Sequence, residues 1–448
     1  MILWGFIMLF RISLVSLLIF YFCYSIFQIY FMIFCLGVVF FINFLIVELV
    51  GVSSLNTVFV YVDSIRILLF GLTYLIIFVL FIMNYCENNF YLCFYFIIIE
   101  LSLGFCLFSF SLLRMYIFFE FSIIPLVLVM ISKGSNEERF EACVYLLLYT
   151  VFSSLLFLAV FVFMGNHNFC FFEVSLVIFN VRKGIFWLTI FLVFLVKIPL
   201  YCVHRWLRKA HVEAPVEGSM LLAGVLLKLG CFGFYRLVFF IGFEYCKVYI
   251  SFLIFFSILG SFVSCLICIR QVDIKLLIAY SSVRHIGLLL AGLLRFLKLG
   301  WAGGLGIMLA HGFCSSVLFF LANIFYTRTG SRNLLVIKGL IRYFPVTINF
   351  WLLFCLLNIG TPPSINFFRE VLLLVSVLKK RLIVGLVICF YLMLVVYYGL
   401  ILFLRAGHGQ SWGFNYIKKE RFIEILVIFV HFVVSILFIF DSGIFFKI

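Results

Sequence analysis

The sequence predicts an all-α polytopic membrane protein of about fourteen transmembrane helices in a single bundle, residues 1–448. Three observations carry this. Hydrophobic residues make up 67% of the 448-residue chain and charged residues 11%, which is too little polar surface to coat a soluble core of this size. The mean hydropathy is +1.33. The apolar runs last about 18 residues or more, the length that crosses a bilayer as a helix, whereas a β-barrel shows short alternating segments.

Taken in order, the N-terminal stretch MILWGFIMLFRISLVSLLIFYF reads as a retained first span. It lacks the amphipathic, arginine- and serine-rich character of a transit peptide. Successive apolar runs centre near Leu17, Val38, Leu75, Ile98, Leu126, Phe152, Leu192, Ala223, Phe255, Leu289, Met308, Phe354, Met393 and Val433. The first two are poorly separated, because residues 12–48 hold no clear polar break. Residues 1–85 form the N-terminal spans, and 406–448 a C-terminal loop and last span. The longest polar interruptions, around Gly165–Gly184 and Gly407–Glu420, are loop-sized, so no soluble domain is expected.

With fourteen spans both termini share a side. That side's loops carry about ten lysines and arginines against about fifteen opposite, which places the termini away from the matrix or cytoplasm. The net charge of +15 comes from these scattered clusters, a membrane-topology pattern and not a nucleic-acid footprint. Fifteen cysteines are spread through apolar runs. The CxxC at Cys265 and Cys268 has no second pair to complete a four-thiolate site, so packing is their expected role and no metal is expected. The 64 phenylalanines suggest T-rich coding, as in organellar genomes.

The chemistry must then lie inside the bundle. An ionisable side chain within a span costs on the order of 2.5 kcal/mol or more and marks a functional site by default. Glu120 stands in YIFFEFSIIPLVLVM. Lys197 follows the apolar run Trp187–Val196 and precedes Ile198-Pro199, where the proline breaks or kinks the helix. Lys228 lies in GSMLLAGVLLKLG, some 15 Å into its helix, with Gly218, Ser219, Ala223 and Gly224 allowing close approach of neighbours. His285 and His311 sit in IAYSSVRHIGLLL and MLAHGFCSSVLF, with Asp273 and Lys275 opening the first of these spans. Glu370 follows the Gly360-Thr-Pro-Pro363 break. Glu100 reads equally as a pathway residue or a helix contact. Two proline-broken spans, about five spans apart, each with an ionisable residue nearby, point to an internally repeated transporter.

At His204–Gly230, HRWLRKAHVEAPVEGSMLLAGVLLKLG, the pattern becomes specific. With FFEFSIIP, DIKLLIAYSSVRHIG, AHGFCSSVLFFLAN and GTPPSINFFRE, it resembles the antiporter-like membrane subunits of respiratory complex I, and among them the mitochondrially encoded subunit 4 family. The resemblance spans about 250 residues, Glu120 to Glu370. It implies two inverted five-helix repeats, residues 90–240 and 248–405, with the broken helices around Pro199 and Pro362. It implies a Glu120–Lys197 couple, Lys228 as the next relay residue, His285 and His311 leading to Glu370, and Lys275 as a further matched charge. The function implied is proton translocation across the mitochondrial inner membrane, driven by NADH-to-quinone electron transfer elsewhere in the complex. NAD, FMN, iron–sulfur clusters and ubiquinone would be held by other subunits, with no cofactor in this chain. Its neighbours would be the sibling subunits 2 and 5, accessory subunits and membrane lipids. A Glu–Lys pair of variable separation suits a switch, since low dielectric disfavours the charged lysine and a nearby carboxylate favours it.

Five charges depart from the family's pattern: Arg205, Arg208, Glu217, Arg284 and Arg369. They require either compensating partners in the fold or a different reading of their codons. Arg369, adjacent to Glu370 in sequence, is expected to favour its ionised form. The alternative function is an Mrp-type cation/proton antiporter subunit, which shares the span pattern. A structural scaffold leaves the intramembrane charges unexplained.

Overall fold

The computed structural model describes residues 55–56, 61–85, 90–109, 111–134, 137–164, 184–241, 247–378, 382–410 and 420–440. The spans expected near Leu17 and Val38, the loop residues 165–183 and 411–419, and the last eight residues lie outside these. Apart from one two-residue antiparallel pair, Leu55–Asn56 with Tyr61–Val62, the regular elements are helical. They are α1 (Ser64–Tyr85), α2 (Phe90–Phe108), α3 (Leu112–Lys133), α4 (Arg139–Met164), α5 (Gly184–Lys197), α6 (Arg205–Glu213), α7 (Val216–Leu221) and α8 (Leu227–Ile241), then α9 (Lys247–Arg270), α10 (Ile274–Leu293), α11 (Lys298–Thr329), α12 (Pro345–Ile359), α13 (Ile365–Leu378), α14 (Leu382–Gly407) and α15 (Phe422–Phe440). Among the described residues, ten stretches are long and apolar enough to cross a membrane. Each of the twelve centres expected from Leu75 onward falls inside a helix.

The two remaining crossings are interrupted, and the sequence says why. Pro199 has no N–H to give the Leu195 carbonyl, which instead accepts from Leu200 N at 3.1 Å. The Val196 carbonyl that Leu200 thereby abandons takes the Trp206 indole N–H at 3.1 Å. At the second break, Gly360 ends α12 with φ +81°, a left-handed conformation that side chains other than glycine rarely adopt. The Leu356 carbonyl accepts from the Gly360 and Thr361 amides, and Leu357 O accepts from Asn366 Nδ2 at 2.7 Å. Ser364 Oγ accepts from Phe367 N at 3.2 Å and caps α13. These freed carbonyls at both breaks are therefore satisfied by shifted backbone amides and by side chains, as a low-dielectric setting requires.

The element order places a broken span fourth in each of two successive sets of five: α2, α3, α4, α5/α6, α7–α8, and α9, α10, α11, α12/α13, α14. Five is odd, so the two sets begin from opposite faces of the bundle. The centre is α11, which packs on α1, α7, α8, α10, α12, α13 and α15 and is enclosed along its membrane window, as α7–α8 and α10 nearly are. Helices α4, α9, α14 and α15 are the outer ones, with Phe152, Leu148 and Leu155 of α4 turned outward.

Candidate functional site

Glu120, Lys197, Lys228, His285, His311 and Glu370 stand on α3, α5, α8, α10, α11 and α13 around this enclosed centre. Lys197 is the last residue of α5 and is buried; its Nζ forms an ion pair with Glu120 of α3. The ammonium also lies 3.9 Å from the ring centroid of Phe119 and 5.0 Å from that of Tyr116. A carboxylate and two ring faces thus replace water around the cation. Pro125, five residues beyond Glu120, leaves the Phe121 carbonyl without its helical donor, which adds local polarity beside the acid. Gly230 brings α8 against Lys197, where a Cβ would lie 3.4 Å from the lysine backbone.

Between α7 and α8 the helix widens into a π segment, Leu222–Leu226, a deviation frequent at functional sites. The Lys228 Nζ donates to the carbonyl of Ala223, inside that segment. It also lies 3.1 Å from His311 Nδ1. Gly224 and Gly312 face each other at this crossing, since a Cβ on Gly312 would lie 3.3 Å from the Gly224 carbonyl oxygen. Small residues thus bring α11 close enough for the Lys228–His311 contact.

His311 stacks edge-on against His285, with ring centroids 4.7 Å apart. His285 Nδ1 is 3.0 Å from Glu370 Oε1, and its Nε2 is 3.0 Å from Asn358 Oδ1. Lys228, His311, His285 and Glu370 therefore form one unbroken series of contacts across α8, α11, α10 and α13. Glu370 lies against the second break, with Oε2 3.4 Å from where a Cβ of Gly360 would stand. The Glu120–Lys197 pair stands apart from this series by the width of the α5–α8 contact. Lys275 joins neither group by a direct contact among the described residues. It donates instead to Ala214 O at 3.0 Å, just past the end of α6. Glu100 is half-buried on α2.

The departures from pattern fall in three places. Arg205 and Arg208 are exposed on α6. Glu217 is buried and pairs with Lys133, which also donates to Asn84 Oδ1 at 2.9 Å. Arg369 turns its stem toward α11, onto Gly306, where any Cβ would overlap Arg369 Cδ, because consecutive helical residues point about 100° apart. The guanidinium on Glu370 comes from Arg284, 3.2 Å from Oε1. Asn358 and Tyr391, which also touch this cluster, were not picked out in the sequence. Their one signal is polarity without charge inside apolar runs, beside a break in the case of Asn358.

The Lys133–Glu217 pair gives a direct test of compensation. Lys133→Met leaves the Glu217 carboxylate buried without its cation, and the assembled protein should lose about 1–3 kcal/mol, discounted because Lys133 is 22% exposed. Lys133→Met/Glu217→Gln should recover most of that loss, read as the yield of folded protein in detergent.

The family model described as NADH:quinone oxidoreductase/Mrp antiporter, TM, matches residues 109–395. NADH-ubiquinone oxidoreductase chain 4 of Ceratitis capitata is 40% identical over 329 residues, covering 72% of each chain. That of Rhipicephalus sanguineus is 39% identical over 355 residues, 79% of this chain and 81% of its own. Among solved structures, a chain of respiratory complex I from Thermus thermophilus with bound NADH superposes with TM-score 0.79 at 23% identity, covering 92% of this chain and 91% of that one. A chain of the Mrp complex from Dietzia sp. does so with TM-score 0.76 at 15% identity, covering 86% and 84%. These two share the antiporter-like fold. The match of the family model over more than half the chain, and of relatives near 40% identity, establishes the family: the chain belongs to the NADH-ubiquinone oxidoreductase chain 4 family.

Proposed function

We propose that this chain is a membrane-arm subunit of proton-pumping NADH:ubiquinone oxidoreductase, complex I, and carries protons across the bundle. The observation that carries this reading is the continuous buried series Lys228, His311, His285 and Glu370, with the Glu120–Lys197 pair beside it. Each member is costly inside a membrane, and each can gain and lose a proton. Water bridges the interval between Lys197 and Lys228, as it does between buried polar groups too far apart for a direct bond. Closing or opening the Glu120–Lys197 pair changes whether Lys197 keeps its proton, which couples the pair to the series. Lys275, at the carbonyl end of α6, serves as an electrostatic anchor for the broken span.

The chain works in the mitochondrial inner membrane, between the sibling antiporter-like subunits 2 and 5, with accessory subunits and lipids around it. NAD, FMN, iron–sulfur clusters and ubiquinone belong to other subunits, and their electron transfer supplies the energy. The chain 4 relatives near 40% identity favour this over an Mrp-type antiporter, whose structural likeness comes with 15% identity. Mild-detergent purification of the tagged chain should recover a large, rotenone-sensitive NADH:quinone oxidoreductase. Recovery as a small assembly that exchanges sodium for protons overturns the reading.

A further inference from the structure

We propose that Arg284 is a positioning residue for Glu370, and that the two form a second charge-pair switch with the signs of the Glu120–Lys197 pair reversed. The inference rests on the proton-carrying reading of the buried series. In the first set of five spans, an acid on the second (Glu120, α3) pairs with a base on the broken fourth (Lys197, α5). In the second set, a base on the second span (Arg284, α10) pairs with an acid on the broken fourth (Glu370, α13). The register differs, since Lys197 precedes its break and Glu370 follows its own.

The chemistry of the two pairs differs in one decisive respect. A lysine can give up its proton, whereas an arginine in a protein does not. In the second pair the guanidinium is therefore a fixed cation, and Glu370 is the member that exchanges protons. Arg284 is wholly buried, so it needs acceptors wherever it points. Besides Glu370 Oε1 it has Tyr391 Oη at 3.2 Å from Nη1 and Asn358 O at 3.0 Å from Nη2, and it contacts His285 Nε2. The Tyr398 ring lies 5.8 Å from its Cζ. Tyr391, Asn358 and the Tyr398 ring, on α14 and α12, hold the guanidinium when it leaves Glu370, so release does not strand a bare charge. While paired, Glu370 is a carboxylate. Once released, it can take the proton of His285 Nδ1, 3.0 Å away: the N–H bond breaks, an O–H bond forms, and an imidazolium becomes a neutral imidazole. Re-pairing with Arg284 breaks that O–H bond, and the proton passes to a water molecule at Glu370, leaving the carboxylate.

The test uses the assembled complex, with Lys197→Ala as the control for the relay itself. Two quantities are read: protons translocated per NADH oxidised, and the protonated-carboxyl infrared band, taken both as a variant-minus-parent difference at rest and as a turnover-induced difference. Arg284→Met, close to the stem's volume but uncharged, should lower the proton yield about tenfold or more. It should also show a protonated-carboxyl band that disappears in Arg284→Met/Glu370→Gln. Arg284→Lys, which keeps the cation, should retain most of the yield and lack the standing band. An Arg284→Met complex with normal yield and no such band overturns the proposal when Lys197→Ala still loses pumping. If both variants pump normally, the proton-carrying reading falls instead. Should Arg284→Met fail to assemble, the parent decides: a carboxyl band that comes and goes with turnover and is missing in Glu370→Gln supports the switch, and its absence overturns it.

Discussion

Replacing Lys197 by alanine should abolish most proton translocation through this subunit while leaving the assembled complex largely intact. The ammonium is held by Glu120 and by the faces of Phe119 and Tyr116, so its removal deletes the proton-bearing partner of the pair and opens an apolar gap between Glu120 and Lys228. A proton-transfer group of this kind contributes a factor on the order of 10² or more to the rate of the step it serves. Assembly should survive because Glu120 is 22% exposed. The carboxylate left behind can be hydrated or neutralised and need not remain a buried bare charge. The measurement is the proton yield per NADH in proteoliposomes, beside the amount of intact complex on a native gel. A Lys197→Ala complex that pumps at the parent rate removes the pair from the pathway.

What could be read from the sequence divides along a physical line. A charge inside an apolar run is legible, because its cost is local; Glu120, Lys197, Lys228, His285, His311 and Glu370 all stood out for that reason. The breaks were legible too, since Pro199 and the Gly360–Pro363 stretch act on their own backbone. Partnership was not. Lys197 meets Glu120 across 77 residues, Lys228 meets His311 across 83, and Arg284 meets Glu370 across 86, and helix packing sets all three. Arg369 shows the same limit: its stem turns onto Gly306 of α11, while a guanidinium 3.2 Å from Glu370 comes from Arg284 on another span. The π segment at Leu222–Leu226 also had no signature beyond a run of small and apolar residues, yet it frees the carbonyl that Lys228 binds. Lys275 shows the reverse case, a legible charge whose fold position puts it at the end of α6, outside the series.

Lys228 allows the sharpest separation between a residue that carries protons and one that merely supplies charge. It sits at the junction of the two sets of spans, with one contact to the widened helix at Ala223 and one to His311. Lys228→Arg keeps a cation and a donor to the Ala223 carbonyl, so an anchoring role should survive it. Arginine does not surrender its proton, so a relay role should not. Proton translocation is therefore expected to fall about tenfold or more in Lys228→Arg, nearly as far as in Lys228→Met. The stability of the assembled complex should follow a different order, with Arg close to the parent and Met below it, because Met leaves the Ala223 carbonyl and His311 Nδ1 without a donor at a cost of about 1–3 kcal/mol. Proton yield and thermal dissociation of the complex, measured on the same preparations, distinguish the two orders. Parent-level pumping in Lys228→Arg would make Lys228 a fixed charge and require the proton to reach His311 by another route.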